Sequence, residues 1–452
     1  MDEAIVAAGR FGYGAGPSKP VPSGDVRAWV RSQLYRPNLP PAFLGLPVAS
    51  SLVVDLERLR RARQQQAKMI GPETPDAKKG MEDAARKAAH DLLLREIGAR
   101  YEAAIASDTP FVERLVHFWG NHFTVSGIRP EVYPLVGAFE REAIRPHLFG
   151  KFDTMVQAVV MHPAMGLYLD NAVSVGPDSK VGQRGKRGLN ENLGRELLEL
   201  HTLGVDGGYS ETDVRSLARI LTGWGIARFE DPEAGHFRFN ESLHEPGPQT
   251  LLGRRYDQDG MAQGVAAIGD IARHPSTARH IARKLAVHFV ADTPPQSAID
   301  RLTTAFRESG GDLRHVSETL ASLPEAWSAW REKVKTPWDL IVSASIATGV
   351  TLPPDQVAGF LDRLGQPVFK APQPSGWPDN AASWIGPEAV LRRVEWCGAF
   401  ADRVDRTLDP ETLATGALGA SLEPTTREVI GRAESRPQAV ALLLASPEFQ
   451  RR

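Results

Sequence analysis

Two histidines, His117 and His122, stand five residues apart in FVERLVHFWGNHFTVS, residues 111–126. Imidazoles so placed hold a ligand, carry protons or simply pack. On a continuous helix five residues turn the chain by about 140°, so the two rings share no face. They converge only if the helix ends between them. Gly120 and Asn121 are residue types that close helices in the left-handed conformation, so the sequence leaves convergence open. Phe118 and Trp119 read as core.

A second set of chemistry-bearing residues lies in NENLGRELLELHTLG, residues 190–204. Helical spacing puts Asn192, Arg195, Glu196 and Glu199 on one face, with Leu197, Leu198 and His201 opposite. The density of leucine predicts a helix buried nearly all round. Carboxylates there must be paired, hydrogen-bonded, metal-bound or protonated, because an isolated buried charge costs several kcal/mol, roughly. Either Arg195 and a neighbouring arginine neutralise Glu196 and Glu199, or the glutamates serve a metal or proton transfer. His201 lies near the helix end, where the macrodipole favours a cation.

Further candidates are scattered. LYLDN supplies Asp170 and Asn171 after a helix, and a long loop supplies His236, His244 and Glu245. HPSTARHIARKLAVHF carries His274, Arg279, His280, Arg283, Lys284 and His288. Arg279 and Arg283, four apart, share a face. They suit an anionic ligand or ion pairs with Glu196 and Glu199. GWPDNAASW offers Trp377, Asp379, Asn380 and Trp384, where indoles beside acid and amide groups suit a sugar ring or another flat ligand.

Common catalytic signatures are missing. There is no HExxH, no ExxH of dimetal bundles in this helix, no G-x-S-x-G elbow and no P-loop. FGYGAGP lacks the dinucleotide spacing and context. The single cysteine, Cys397, excludes an intramolecular disulfide and any multi-cysteine metal site, and its surroundings predict a buried thiol.

Apolar residues recur at three and four spacing along most of the chain, which predicts a mainly α protein: a large, bundle-like multi-helix domain with long irregular loops and at most a small β-hairpin. A single domain over 1–452 is expected, with sub-regions 1–107, 108–345 and 346–452. One long helix is predicted over Gly80–Ser107 after a turn-rich GPETPDAKKG. Shorter helices are predicted over 111–119, 133–144, 152–161, 264–272, 277–290, 296–309, 313–321 and 389–404, and near the C-terminus. Ser210 with Asp213 reads as a capped helix start. Residues 226–256 and 369–387 read as long loops that fold over the helices and enclose a pocket between them.

The totals agree with a folded globular chain. Among 452 residues, 42% are hydrophobic and 24% charged, and 53 Lys and Arg nearly balance 55 Asp and Glu. A formal charge of −2 gives no global field for nucleic acid. No apolar run is long enough to span a bilayer, and the acidic, glycine-broken start lacks the pattern of a signal peptide, so a cytoplasmic location is expected.

Taken in order, HFWGNHF, MHPAMGLYLDN, GLNENLGRELLELHTLGVDGGYSETDV, LARILTGW, LHEPG, HPSTARHIARKL and GWPDNAASW resemble the bacterial family described as domain of unknown function 1800. AAGRFGYGAGP and LLLASPEFQ are similar to that family's ends, so the resemblance is near full length. It implies no established catalytic residue. It does imply a neighbour, a protein of the domain of unknown function 1501 family, often encoded alongside.

Three functional expectations follow. The first is an enzyme, hydrolase or oxidoreductase, with His117, His122 and His201 holding a divalent transition metal. Glu196, Glu199 and Asp170 would do the chemistry, and His244, Arg279, Arg283, Trp377 and Asp379 would bind the substrate. The second is metal-free acid/base catalysis on a carbohydrate, with a carboxylate pair among Asp170, Glu196, Glu199 and Asp379. The third is a non-catalytic partner of the neighbouring gene product.

Overall fold

The structure, a computed structural model, describes residues 3–17, 19–35, 39–69, 75–185, 188–328 and 333–452. It is mainly α. Helices follow one another along the whole chain, and the only strands among the described residues form two short antiparallel hairpins, Trp224–Ile226 with Phe237–Phe239 and Gln249–Leu251 with Arg254–Tyr256. The alternating HFRFN stretch does supply a strand. One continuous hydrophobic cluster runs from Ile5 to Phe449.

The long helix forms over Pro75–Ala106. Of the turn expected at 71–80, residues 71–74 lie outside the described residues. From Pro75 the chain is already helical, proline being tolerated in a first turn. Its C-terminal half packs on Pro354–Arg363 and Pro337–Thr348. Pro337–Thr348 is buried at every position, so no polar stripe is available to betray its orientation in the sequence.

Ser210 and Asp213 form the full reciprocal capping box at the start of Glu211–Ile220. Pro275–Phe289 lies against Gln296–Glu308, and Pro387–Ala401 against Arg436–Ala445. The Cys397 thiol on Pro387–Ala401 is fully buried, and burial pushes its pKa up to about 12, which leaves an inert packing group. Phe118 meets Trp119 edge-on, Trp119 and Phe123 lie against Phe152, and Phe152 meets Phe306 edge-on, so aromatic contacts tie Pro110–His122 to the centre.

Two helices widen into π-turns, at Glu140–Ile144 and at Leu197–His201. A π-turn inserts a residue into the ladder and redirects every later side chain, and such turns often accompany functional sites. Asn192–Glu196 runs directly into the second of these turns. Only one side of this segment is covered: Leu193, Leu197, Leu198 and His201 are buried, whereas Arg195, Glu196 and Glu199 are half-exposed. The expectation of a helix buried all round is therefore corrected. Gly194 lies so close to the Val214–Ala218 backbone that the opposite face is the one pressed inward.

Gly264 faces the buried Trp224 ring, where an added Cβ would lie 2.4 Å from an indole carbon. Gly264→Ala is expected to cost about 1–3 kcal/mol by overpacking. Urea unfolding should show a lower midpoint with an unchanged m-value.

Candidate functional site

Among the described residues, the long loop at 226–256 and the 369–387 segment line different cavities. The first helps enclose a groove of about 640 Å³, with Ser179, Lys180 and Gln183 on one side and Phe239, His244, Pro246, Pro248 and Gln258 on others. Asp178, Glu241, Asp257 and Asp259 stand on it as exposed carboxylates without ion pairs among the described residues. That volume suits a small organic ligand.

His244 is built into this groove by close backbone approaches. Thr222 serves both residues of the His244–Glu245 pair: its carbonyl takes a 2.9 Å hydrogen bond from His244 Nδ1, and its hydroxyl accepts from the Glu245 amide at 2.8 Å. Because a carbonyl only accepts, Nδ1 carries the proton, and Nε2 keeps a lone pair with no partner among the described residues. The adjoining Gly223, at φ +81°, leaves no room for a Cβ beside Asn240 and His244. Across the turn, Gly176 lies so close to Glu245 that a Cβ would sit 2.6 Å from its backbone. The Glu245 carboxylate accepts from the Asp178 amide at 2.9 Å and fastens the opposite wall.

The second cavity, about 50 Å³, lies beside His117. Arg100, Asn121, Trp338, Gln366, Phe369 and Trp377 share its walls. Arg100 lies over both the Trp338 and Phe369 rings and is paired with Glu140 at 2.9 Å. The Tyr13 hydroxyl lies 3.5 Å from His117 Nδ1. Burial, helped by the Arg100 charge, holds His117 far below the ordinary histidine range. Asn121 clamps the 369–387 segment, giving a bond to the Trp377 carbonyl and accepting one from its amide. Trp377 is half-buried at the cavity, but Trp384 is buried with its indole on the Pro378 carbonyl, so the two do not form an exposed sugar platform.

The helix does not stop at Gly120. It continues through Asn121 to His122, so His117 and His122 diverge as 140° requires. His122 turns inward, and its Nε2 donates to the His201 carbonyl at 3.0 Å. His280 Nε2 donates to the Leu200 carbonyl, also at 3.0 Å. Two rings thus cap the end of the π-turn, and the His122 and His201 rings lie 6.0 Å apart. Three metal ligands do not assemble: among the described residues no group of three or more His, Cys, Asp or Glu side chains is placed to hold a metal ion. His117, His122 and His201 are not a ligand set in this geometry.

The predicted acids separate as well. Asp170, in the left-handed conformation at φ 59°, is gripped by Arg129 at 2.7 and 3.0 Å and acts as a structural anchor. Arg195 pairs with Glu211 and, at 3.6 Å, with Glu191, rather than with Glu196 or Glu199. Arg279 and Arg283 are exposed and do not bridge to those glutamates. Glu196 has no ion pair among the described residues. Burial raises its pKa, with the Glu199 charge adding and Arg195 opposing, while Tyr209 shares a hydrogen bond with Glu199. Tyr168 nearby is pushed up to about 12 by burial and by the Glu196 charge.

Asp379 is turned inward, with its carboxylate 2.8 Å from His288 Nδ1. Burial opposes its charge, but His288 and the Lys333 cation outweigh that and hold the carboxyl well below the usual range. Sequence reasoning grouped Arg279 with Arg283, whereas the inward stripe of Pro275–Phe289 is His280, Lys284 and His288. The same four-residue spacing held that signal, shifted by one position.

Fold and site together define a mainly α protein with a polar groove lined in part by His244. The family model described as Protein of unknown function (DUF1800) matches residues 6–451, and the chain belongs to that family. No curated protein and no solved structure matches it. No helix among the described residues is long and apolar enough to cross a membrane.

Burial lowers the pKa of His201 to about 3 and of His280 to about 4, against an ordinary 6.5. Each ring binds its proton less readily folded than unfolded. Their contribution to stability is complete above pH 6.5 and is lost as pH falls from there towards 4, at about 1.4 kcal/mol per pH unit per ring. Urea midpoints measured between pH 7.5 and 4.5 should fall accordingly, and His280→Gln should make the slope shallower.

Proposed function

We propose that this chain is an acid/base enzyme acting on a carbohydrate or a similar polyhydroxylated small molecule bound in the His244 groove. One observation carries the reading: a buried imidazole, its tautomer held by the Thr222 carbonyl, presents a free Nε2 at a groove of about 640 Å³. Such a nitrogen takes a proton from water or a substrate hydroxyl and returns it to a leaving group.

Asp178, Glu241, Asp257 and Asp259 supply acceptors for hydroxyl groups, and Phe239, Pro246 and Pro248 supply apolar surface. The acidic rim also favours a neutral or cationic ligand over an anionic one. The reading needs no metal, and it places the chemistry at His244 rather than at Glu196, Glu199 or Asp170.

Thermal-shift screening with cello- and chito-oligosaccharides tests the binding, and product analysis of the hits tests turnover. The wild type is expected to gain a few degrees in Tm with at least one oligosaccharide. His244→Gln should retain that shift while losing about 100-fold or more in kcat/KM, the usual worth of a positioned base. Asp257→Asn should weaken binding instead. A wild type whose melting is unmoved by every sugar sinks the proposal.

A further inference from the structure

The His244 groove is rich in acceptors and short of donors. Of the described residues that line it, Asp178, Glu241, Asp257 and Asp259 carry carboxylates, against the one ammonium of Lys180. All five are exposed, and none enters an ion pair among the described residues. In the wall, Gln258 Oε1 is buried and meets no donor among the described residues. His244 is 8% exposed, and with Nδ1 committed to the Thr222 carbonyl its Nε2 offers only a lone pair.

A buried acceptor without a donor costs free energy unless water or a bound species meets it. With an orphaned amide oxygen, an imidazole lone pair and four carboxylates at one groove, the species that complements it is rich in N–H and O–H groups and positively charged. A bare divalent ion fits poorly. Among the described residues no group of three or more His, Cys, Asp or Glu side chains is placed to hold one. Carboxylates spread around a groove suit a ligand whose cations are spread as well.

We propose that the ligand of this groove is an amino sugar with free, protonated amines, a short oligomer of the glucosamine type, held through its ammonium groups by the four carboxylates. The inference rests on the carbohydrate reading of the site and narrows it. An ammonium brings three donors and a charge, and its hydrogen bond to a carboxylate is about twice as strong as a neutral one. N-acetylation of the same nitrogen removes the charge and leaves one N–H. A hydroxyl in its place also has one donor and no charge. The amine is therefore the group that the groove distinguishes.

Phe239, Pro246 and Pro248 supply apolar surface for the C–H face of a sugar ring, which an open-chain polyamine lacks. The carboxylates and the ring surface together favour an amine carried on a ring. Because the acids are exposed, salt screens their pull on an ammonium, so the preference for the amine weakens as ionic strength rises. It also weakens as pH rises through the amine's own pKa, where the ligand loses its charge while the carboxylates keep theirs.

The test is isothermal titration calorimetry of the intact protein at pH 6 and low salt. Three β-1,4-linked trisaccharides that differ only at C2 are compared: the glucosamine trimer, the N-acetylglucosamine trimer and cellotriose, with spermidine as an amine without a sugar. The glucosamine trimer is expected to bind about tenfold or more tighter than each of the others, the worth of one or two charge-assisted bonds. Raising sodium chloride to about 0.5 M should narrow that ratio. Glu241→Gln combined with Asp259→Asn should bring it towards one. The two failures separate. Neutral trimers that bind while the glucosamine trimer binds no tighter overturn this inference and leave the carbohydrate reading standing, whereas three sugars that all fail to bind overturn both. Spermidine binding as tightly as the glucosamine trimer also overturns the inference, as does a double variant that keeps the full preference.

Discussion

Where the helix ending at His201 stops, the carbonyls of Leu200 and His201 lie in the interior and are met by imidazoles from two other helices. An unpaired backbone carbonyl in such a place would cost about as much as a lost hydrogen bond, so the arrangement is obligatory rather than incidental. His122 and His280 each spend their one neutral N–H on it. Burial, with the Lys284 charge adding, keeps both rings from taking a second proton, against the pull of the carbonyl bonds. Much of the polar character of the interior follows from this one requirement.

The rest of the buried charge is settled differently. Arg145 with Glu113, Arg141 with Glu96, Arg100 with Glu140, and Arg114 and Arg452 with Asp339 are close opposite pairs. Removing one member of such a pair leaves an uncompensated charge, so these residues read as scaffold. Against that background some groups left without a partner among the described residues stand out, Glu196, Nε2 of His288 and Nε2 of His244 among them. Chemistry is available only where the pairing has not been completed.

Glycine decides how closely the loops can approach. Gly176 and Gly223 bring the His244–Glu245 turn against two backbones, and Gly376, at φ +79°, seats the 369–387 segment on Asn121 and Thr124. Any side chain at these positions would push the walls apart. The groove and the His117 cavity thus owe their shape to contacts that a Cβ would abolish.

Helical periodicity, the capping box at Ser210, the buried Cys397 and the long loops could all be read from the residues alone, because each depends on neighbours within a few positions. The 140° separation of His117 and His122 was legible too, once the helix was known to run through Gly120. What could not be read was which partner each charged group meets. Arg195 chose Glu211 over Glu196, Asp379 chose His288, and His244 chose the Thr222 carbonyl, in each case through residues 15 or more positions away. The π-turn at Leu197–His201 was equally hidden. Local spacing specifies elements, because hydrogen bonds within a helix reach only a turn. The state of an ionisable group depends on what long-range packing brings beside it, and that was decided only in the folded chain.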